Sequence, residues 1–437
     1  MSAHQAALTR TTLLLNQEWF AGRADERLIA DALVAGTVRL AADAEALSSR
    51  AGQTAFVTAF MLTARLGVGI ELAAPNVPVI DLVAPLRLPR LLDALLDLGA
   101  DLTPGARLRL TPGEVQESFA FGKDAVAGDA AVAVGVGDFE TDLARGAGGA
   151  RCEGELPFGG FAAGAAVAAI ALRAIQPRVE QAVGLTARTP APSPGPPVHI
   201  SLLDLFPELA GGRSYDLGDV DAISGGAITN ALLFCLLRIP ALTVRVRVIE
   251  GQDIELSNVN RYALLRASDT GRHKIDHLVG SAAGNVKIGG VASLYTKDSR
   301  AVLLPLAKRV VVGVDDVQAR WLVQEDNPAW LAVAATGNNL AQLTSHVPGG
   351  PCAGCLHTTP LPPATTPTIS FVSFFAGLLQ ACALASRSST PRNVHVYPFA
   401  LGGPAGVMSF KPTRNPDCPI ACSSRWSLDQ QSHEACS

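Results

Sequence analysis

The sequence has few aromatic residues and little excess charge. Aromatic side chains make up 5% of the 437 residues and charged side chains 17%, and the formal net charge is −4 at pH 7. A chain this close to neutral has no bulk charge with which to hold nucleic acid or an anionic membrane surface, so we expect neither as a partner. The N-terminal stretch also lacks an apolar segment followed by a small-residue cleavage site, which predicts a cytoplasmic protein without a signal peptide.

Long hydrophobic runs are scarce as well. The most apolar stretch, residues 158–175, consists mostly of Ala and Gly and is interrupted by Arg173. Because Ala and Gly are only weakly hydrophobic, this stretch predicts a helix buried in a protein core rather than a membrane span. In a cytoplasmic chain, the eight cysteines indicate thiols or metal ligands rather than disulfides.

A proline-rich segment divides the chain. Residues 189–197 read TPAPSPGPP, which favours polyproline II and predicts a linker between domains at 1–188 and 198–437. Each part follows a strand, turn, helix, strand course and later contains a helix rich in small residues. Repeated βαβ units predict two related α/β domains with parallel sheets covered by helices. The alternative is a chance similarity between two alanine-rich segments.

The second part contains a glycine turn and a well-placed acid. Gly225 and Gly226 lie between a predicted strand and a predicted helix, where backbone N–H groups can meet phosphates. Glu250 ends the next predicted strand, where a carboxylate can accept the ribose hydroxyls of a nucleotide. A lone glycine pair is also common as a purely structural turn.

Polar and charged residues farther along suit a triphosphate and its metal. Asn258, Arg261 and Lys274 follow the acid and supply hydrogen-bond donors and positive charge. Asp315 ends a later predicted strand, a position from which a carboxylate can hold Mg²⁺. Each residue taken alone is also explained as a surface group or a helix cap.

Four cysteines form two close pairs. Two pairs of thiolates satisfy the tetrahedral coordination of a structural Zn²⁺, so the spacing predicts a Cys₄ site. The predicted ligands are Cys352, Cys355, Cys418 and Cys422, with His357 and His433 as possible substitutes.

In this order and at these spacings, the motifs resemble the ThiF, MoeB and ubiquitin-activating superfamily. The stretch ELSNVNRYALLRASDTGRHK is similar to the SNLNRQ…GxxK segment of that family, and VDDVQAR is similar to its DNxxxR segment. The resemblance covers about residues 198–425. It implies two Rossmann-like ThiF-type domains, an inactive one at 1–188 and an active one at 198–437, paired as a pseudo-dimer. The glycine turn departs from the family pattern, with Ile223 and Ile228 at the outer glycine positions.

The resemblance also implies an activity. It implies ATP- and Mg²⁺-dependent adenylation of the C-terminal glycine carboxylate of a ubiquitin-like protein. The implied contacts are ATP to Gly225 and Gly226, ribose to Glu250, phosphates to Asn258, Arg261 and Lys274, and Mg²⁺ to Asp315. Family members also receive an arginine from the partner domain, and Arg27 is the predicted one, with Arg23 next.

The step after adenylation is left open. Ala364 stands where compact family members have a thioester-forming cysteine. The enzyme stops at the adenylate, or uses another thiol such as Cys436, or Ala364 replaces a native cysteine.

Three functions therefore compete. The first is activation of a ubiquitin-like protein in a bacterial antiphage-type conjugation pathway, with a possible conjugating enzyme as partner. The second is adenylation of a sulfur carrier or peptide in biosynthesis, and the third is a nucleotide-binding pseudoenzyme scaffold. The expected assembly is a monomer with an internal pseudo-dimer, or a homodimer.

Overall fold

The structure is a computed structural model. It describes residues 2–102, 105, 107–126, 128, 131–146, 150–189, 197–212, 214–337, 339–359 and 368–420. The predicted ligand Cys422, the predicted thioester position Ala364, the alternatives His433 and Cys436, and most of the 189–197 linker lie outside the described residues.

The described part of the first half forms a seven-stranded sheet in the order β3-β2-β1-β4-β5-β6-β7. Its strands are β1 (Thr37–Ala42), β2 (Gly69–Ala73), β3 (Leu108–Arg109), β4 (Glu117–Phe121), β5 (Val132–Val136), β6 (Glu140–Arg145) and β7 (Val198–Ser201). Its helices are α1 (Ala3–Phe20), α2 (Glu26–Ala35), α3 (Ala44–Ser48), α4 (Arg50–Arg65), α5 (Leu91–Ala100) and α6 (Phe158–Val183).

The described part of the second half forms an eight-stranded sheet in the order β10-β9-β8-β11-β12-β13-β14-β15. Its strands are β8 (Tyr215–Ile223), β9 (Leu242–Ile249), β10 (Val286–Val291), β11 (Arg309–Val312), β12 (Trp330–Gly337), β13 (Leu340–His346), β14 (Arg392–Val396) and β15 (Val407–Phe410). Its helices are α7 (Leu202–Leu205), α8 (Ala227–Leu236), α9 (Lys274–Gly280), α10 (Arg300–Leu303), α11 (Val317–Glu325), α12 (Ala353–Leu356) and α13 (Ser370–Ser386). Short 3₁₀ helices span Pro207–Gly211, Leu256–Asn258, Ala267–Asp269 and Pro398–Ala400.

The two sheets repeat one topology. In each, the first five strands of the half are parallel, and the next two continue the sheet in antiparallel pairing. The prediction of two α/β units is confirmed, but the sheets are mixed rather than wholly parallel, because a short hairpin-like connection follows the fifth strand in each half. Strand β7 follows the linker, yet it pairs with β6 of the first sheet. It is thus the topological counterpart of β14.

Small residues bring two pairs of helices close together. A Cβ on Gly164 of α6 would lie 2.4 Å from the Cβ of Thr58 on α4, and one on Gly377 of α13 would lie 2.5 Å from that of Ala231 on α8. Such distances exclude any side chain at either glycine. Glycine at these positions therefore permits both close helix pairs.

The long helix α6 lies in the core. It is the one described helix long and apolar enough to cross a membrane by length and composition, and 89% of its most apolar window is buried. One hydrophobic cluster includes α6 and continues from the first half into the second. Its interior position agrees with the prediction from its Ala and Gly content.

Candidate functional site

Three predicted motifs meet at the carboxyl ends of neighbouring strands in the second sheet. Gly225 follows β8, Glu250 follows β9 and Asp315 follows β11, and these parallel strands are neighbours in the order β9-β8-β11. After β8 the chain forms β9 and β10 on one side of β8 and then β11 on its other side. The carboxyl end of β8 is therefore a topological switch point. Open α/β sheets bind ligands at such points.

The glycine turn lies directly against Glu250. The Gly225 N–H donates to Glu250 Oε2 at 2.9 Å, and the Gly226 N–H donates to Ser224 Oγ at 3.0 Å. A Cβ on Gly225 would stand 3.0 Å from Glu250 Cγ, so glycine permits this approach. Ser224 has a φ of +93°, a left-handed conformation that is unfavourable for a serine. Both amides predicted to face phosphates are therefore hydrogen-bonded within the protein.

Glu250 and Lys274 are buried together. Lys274 Nζ donates to Gln252 Oε1 at 2.7 Å and lies 3.9 Å from Glu250 Oε2, and both side chains are almost fully buried. Glu250 Oε1 also accepts the Gln252 N–H at 2.9 Å. A carboxylate has about four acceptor positions, so Glu250 retains acceptor capacity for a ribose hydroxyl.

Tyr262 lies close to both predicted phosphate-binding cations. The Arg261 guanidinium carbon is 5.3 Å and Lys274 Nζ is 5.6 Å from the centroid of its ring, and Tyr262 is buried. A π face stabilises cations at these distances. Sequence reasoning missed Tyr262, although it directly follows Arg261 at the position of the glutamine in the family's SNLNRQ segment.

Arg261 is held by its own segment. Its Nη1 donates to Ser257 O at 2.5 Å and to Asn260 Oδ1 at 2.9 Å. The predicted Asn258 uses its Oδ1 to accept the Glu255 N–H at 3.0 Å, which caps the 3₁₀ helix Leu256–Asn258. In this structure, Asn258 thus shapes the loop that carries Arg261.

The first half also brings an arginine to Arg261. Burial lowers the pKa of the Arg261 guanidinium; the charge of Arg10 lowers it further, whereas Tyr262, Glu255 and Asp315 act to raise it. Arg10 belongs to α1, which packs against Leu256–Asn258. The predicted Arg27 is exposed in the first turn of α2, where its N–H donates to Asp25, and Arg23 is exposed too. Arg10 is therefore a first-half arginine whose charge acts on Arg261.

Asp315 is exposed on a loop that Arg320 shapes. Asp316 caps α11 by accepting the Gln318 N–H at 2.9 Å. Arg320 is buried and donates to Val314 O through Nε at 3.0 Å and Nη2 at 2.7 Å. The arginine of the VDDVQAR segment thus holds the backbone immediately before Asp315.

A buried hydrogen-bond relay runs from Arg320 toward the cysteines. Arg320 Nη1 lies 3.2 Å from His357 Nδ1, and His357 Nε2 lies 3.0 Å from Thr344 Oγ1. Thr344 Oγ1 lies 2.9 Å from His346 Nε2, and His346 Nδ1 lies 2.9 Å from Pro351 O.

The donor directions in this relay are determined by its ends. An arginine only donates and a carbonyl only accepts, so His357 carries its proton on Nε2 and His346 on Nδ1. The Thr344 hydroxyl must then accept from His357 and donate to His346. Both histidines are neutral, in agreement with the burial that lowers the pKa of His346 to about 4 and that of His357 well below its usual value. With both ring nitrogens engaged, His357 is not available to the cysteine cluster in this structure.

Three predicted zinc ligands lie together. Cys352 Sγ is 3.7 Å from Cys355 Sγ and 3.4 Å from Cys418 Sγ, and the three sulfur atoms all lie within 4.8 Å of one another. Two thiolates on a tetrahedral zinc, with bonds of ~2.3 Å, are about 3.8 Å apart. The described thiols therefore fit a metal ion.

In the first half, the N-terminus of the helix that corresponds to α8 is covered by its own chain. Helix α3 precedes α4, and a Cβ on Gly52 in the first turn of α4 would lie 2.2 Å from Ala46 O. Ser49 Oγ accepts the Gly52 N–H at 3.0 Å. The N-terminus of α4 is thus covered where the second half has its glycine turn.

Comparisons with known proteins give only partial matches. No protein-family model and no curated protein matches this chain. Solved structures that match include E. coli MccB with ATP, at 16% identity and TM-score 0.38, over 46% of this chain and 65% of that one. Another is PaaA in selenomethionine form, at 12% identity and TM-score 0.36, over 48% of this chain and 76% of that one. The chain spans about two thirds of MccB (66% in its succinimide complex). Matches at these identities and TM-scores do not show what activity this chain has.

Proposed function

We propose that this protein activates a carboxylate by adenylation. A carboxylate oxygen of the substrate attacks the α-phosphate of ATP, the bond to the β-phosphate oxygen breaks, and the products are an acyl-adenylate and pyrophosphate. The supporting observation is the meeting of Glu250, Arg261, Lys274 and Asp315 around the switch point at the end of β8.

The proposed reaction needs charge neutralisation more than proton transfer. The attacking carboxylate is already ionised at neutral pH and both reactants are anionic, so catalysis depends on positioning and on nearby positive charge. Arg261 and Lys274 supply fixed positive charge, Arg10 adds a cation from the first half, and Glu250 orients the ribose. Mg²⁺ held by Asp315 would neutralise phosphate charge and polarise the phosphoryl oxygens.

The proposed substrate is the C-terminal glycine of a ubiquitin-like protein. Its support is the repeated topology, in which a short helix covers the N-terminus of α4 in the first half and a glycine turn precedes α8 in the second, a difference that suits a fused inactive and active pair. A bacterial conjugation pathway, the cytoplasmic location and the domain limits at 188 and 198 stay predictions. A sulfur carrier or a peptide is the other substrate class, and the substrate panel below separates them.

The pseudoenzyme alternative has one observation in its favour. The N–H groups of Gly225 and Gly226 are engaged with Glu250 and Ser224, so phosphate contact there requires the turn to exchange partners. A protein that binds ATP without exchange activity would support that alternative.

The decisive measurement is ATP–pyrophosphate exchange on the full chain. The panel contains a β-grasp protein ending in glycine, the same protein with that glycine removed, and short peptides with free C-termini. We expect exchange only with the glycine-ending protein. Exchange with the peptides alone would shift the assignment to a biosynthetic adenylyltransferase.

Asp315→Asn tests the proposed metal position. We expect exchange to fall on the order of 100-fold, because the substitution removes the charge that would hold Mg²⁺. The fold should be unaffected, since Asp315 is exposed. Asp316→Asn is the matched control, because it removes the adjacent charge and asparagine preserves the helix cap. Equal rates for the two variants would contradict the assignment.

A further inference from the structure

A fully buried arginine of the first half holds the loop that carries Arg261. Arg65 is the last residue of α4 and has no exposed surface. Its Nη1 donates to Val259 O, and its Nη2 donates to Ala263 O at 3.0 Å and to Leu265 O at 2.7 Å. These three carbonyls surround Arg261 in sequence. One guanidinium thus spans the whole turn in which the candidate phosphate-binding arginine lies.

Burying the Arg65 guanidinium costs free energy, and its hydrogen bonds to the loop must offset that cost. A guanidinium buried without a carboxylate partner loses its hydration, and here that loss lowers the pKa of Arg65 to about 9. The loop residues 259–265 form turns instead of a helix or strand, so the carbonyls of Val259, Ala263 and Leu265 are not paired in a helix or sheet and accept from Arg65 instead. A planar group with five N–H donors can serve three carbonyls at once, which an apolar residue cannot do.

Two further contacts from the first half hold the same loop. Asn260 Nδ2 donates to Thr11 Oγ1 at 2.9 Å, while Asn260 Oδ1 accepts from Arg261 Nη1. Beyond the loop, Arg266 is buried and donates to Pro85 O at 2.8 Å and to Asp97 Oδ2 at 2.7 Å. The loop is therefore held in its middle and at its end by residues of the first half.

We propose that Arg65 is a positioning residue, through which the first half holds Val259–Leu265 so that Arg261 faces the phosphates of bound ATP. This role rests on the proposed adenylation. It gives the first half a function in the reaction of the second, beyond the charge of Arg10. Arg65 acts through the loop backbone and touches no reacting group.

The test compares Arg65→Met and Arg65→Lys with Arg173→Met in the full chain. Lysine keeps the charge and three donors. Arg173 is another buried arginine of the first half, on α6, and its guanidinium lies 5.5 Å from the Phe399 ring of the second half. It is the matched control because it removes a buried arginine at the contact between the halves without touching the loop.

Two readouts are needed. In Arg65→Met we expect backbone amides of residues 259–266 to exchange hydrogen about tenfold faster and the KM for ATP to rise about tenfold, with the KM for the carboxylate substrate unchanged. Arg65→Lys should restore most of both effects. Arg173→Met should lower the Tm without changing either readout. Should Arg65→Met fail to fold, Thr11→Val removes one contact to the same loop at smaller cost.

Each result decides something. Unchanged amide exchange in residues 259–266, or equal effects of Arg65→Met and Arg173→Met, would overturn the positioning role. Faster amide hydrogen exchange with an unchanged KM for ATP would also overturn the positioning role, while the proposed adenylation would stand. A wild-type protein without ATP–pyrophosphate exchange would overturn the proposed adenylation and with it the ATP-facing role, and amide exchange would still report whether Arg65 holds the loop.

Discussion

Buried positive charge around the candidate site is compensated largely by dipoles and rings. Arg65 faces three carbonyls, Arg320 faces the Val314 carbonyl and a neutral histidine, and Lys274 faces an amide oxygen and the Tyr262 ring as well as Glu250. Such partners stabilise a cation without neutralising it. Burial lowers the pKa of Arg65 to about 9 and that of Arg320 to about 10, so both stay charged at pH 7. Net positive charge therefore persists where an anionic substrate is expected.

The carboxylate of Asp269 is instead compensated by charged partners. This predicts that the free energy of unfolding falls at low pH. Burial disfavours its charged form, but hydrogen bonds from the His277 ring and the Arg266 N–H, with the charges of His277 and Arg272, lower the pKa of Asp269 to about 2. An unfolded Asp titrates near ~3.9. A carboxylate whose folded pKa is depressed stabilises the protein above its unfolded pKa, and this is lost as pH falls through its folded pKa. This contribution to the free energy of unfolding is about 2–3 kcal/mol.

Asp269→Asn should therefore lower the free energy of unfolding at pH 7, and its gap to the wild type should shrink between pH 4 and pH 2. Denaturant titrations at pH 2, 3, 4, 5 and 7 measure the gap. Asp276→Asn, at an exposed position on α9, is the control and should show a small, flat difference. A gap for Asp269→Asn that is the same at pH 2 and pH 7 would contradict this account.

At the scale of elements, one buried relay joins the loop after β11 to the cysteine cluster. It passes from Arg320 on α11 through His357, which follows α12, to Thr344 and His346 on β13, and ends at Pro351. Pro351 directly precedes Cys352. The backbone before Asp315 and the proposed zinc site are thus joined by one continuous chain of buried hydrogen bonds.

We expect about one zinc per chain, and Cys352→Ser should remove most of it. The Tm should fall strongly. The ATP–pyrophosphate exchange activity per folded molecule should fall less, because a closed structural zinc site has no open coordination position for chemistry. Elemental analysis and thermal denaturation measure the two effects. Cys382→Ala, in helix α13 and outside the cluster, should leave the metal content unchanged. A metal-free preparation of the wild type that keeps its full Tm would rule out the structural zinc.

At the scale of the whole molecule, the two halves share one core. Phe161 of the first half lies 6.0 Å from Phe234 and 6.2 Å from Phe374 of the second, measured between ring centroids, and Phe161 is fully buried. The hydrophobic cluster that contains them extends through both sheets. In a chain with only 5% aromatic residues, this ring cluster is a direct aromatic contact between the halves.

Phe161→Ala should destabilise both halves together, by about 3–5 kcal/mol, because it leaves a cavity where they meet. Thermal denaturation should shift as one transition, and amide exchange should rise in β1 and β8 alike. Phe410→Ala, at a side chain that is 43% exposed, is the control and should have little effect. Loss of protection in β1 alone would show that the halves unfold independently.

The sequence by itself determined the features whose signal is local. The glycine turn, the acid at the end of β9, the cysteine pairs and the repeated strand and helix course all depend on spacing along the chain, and the structure forms two matching α/β sheets with three of the cysteines together. The buried helix α6 followed from its small residues in the same way. Local patterns are readable because they reflect backbone geometry and burial over one or two elements.

Only the tertiary structure decided what the first half contributes. Arg10 and Arg65 lie far along the chain from Arg261, and neither stands in a motif that distinguishes it from an ordinary helix arginine. Their roles arise because folding buries Arg65 against loop carbonyls and brings the charge of Arg10 close to Arg261. The cover over the N-terminus of α4 and the pairing of β7 with the first sheet have the same origin, since both depend on packing between segments and not on the residues of one segment.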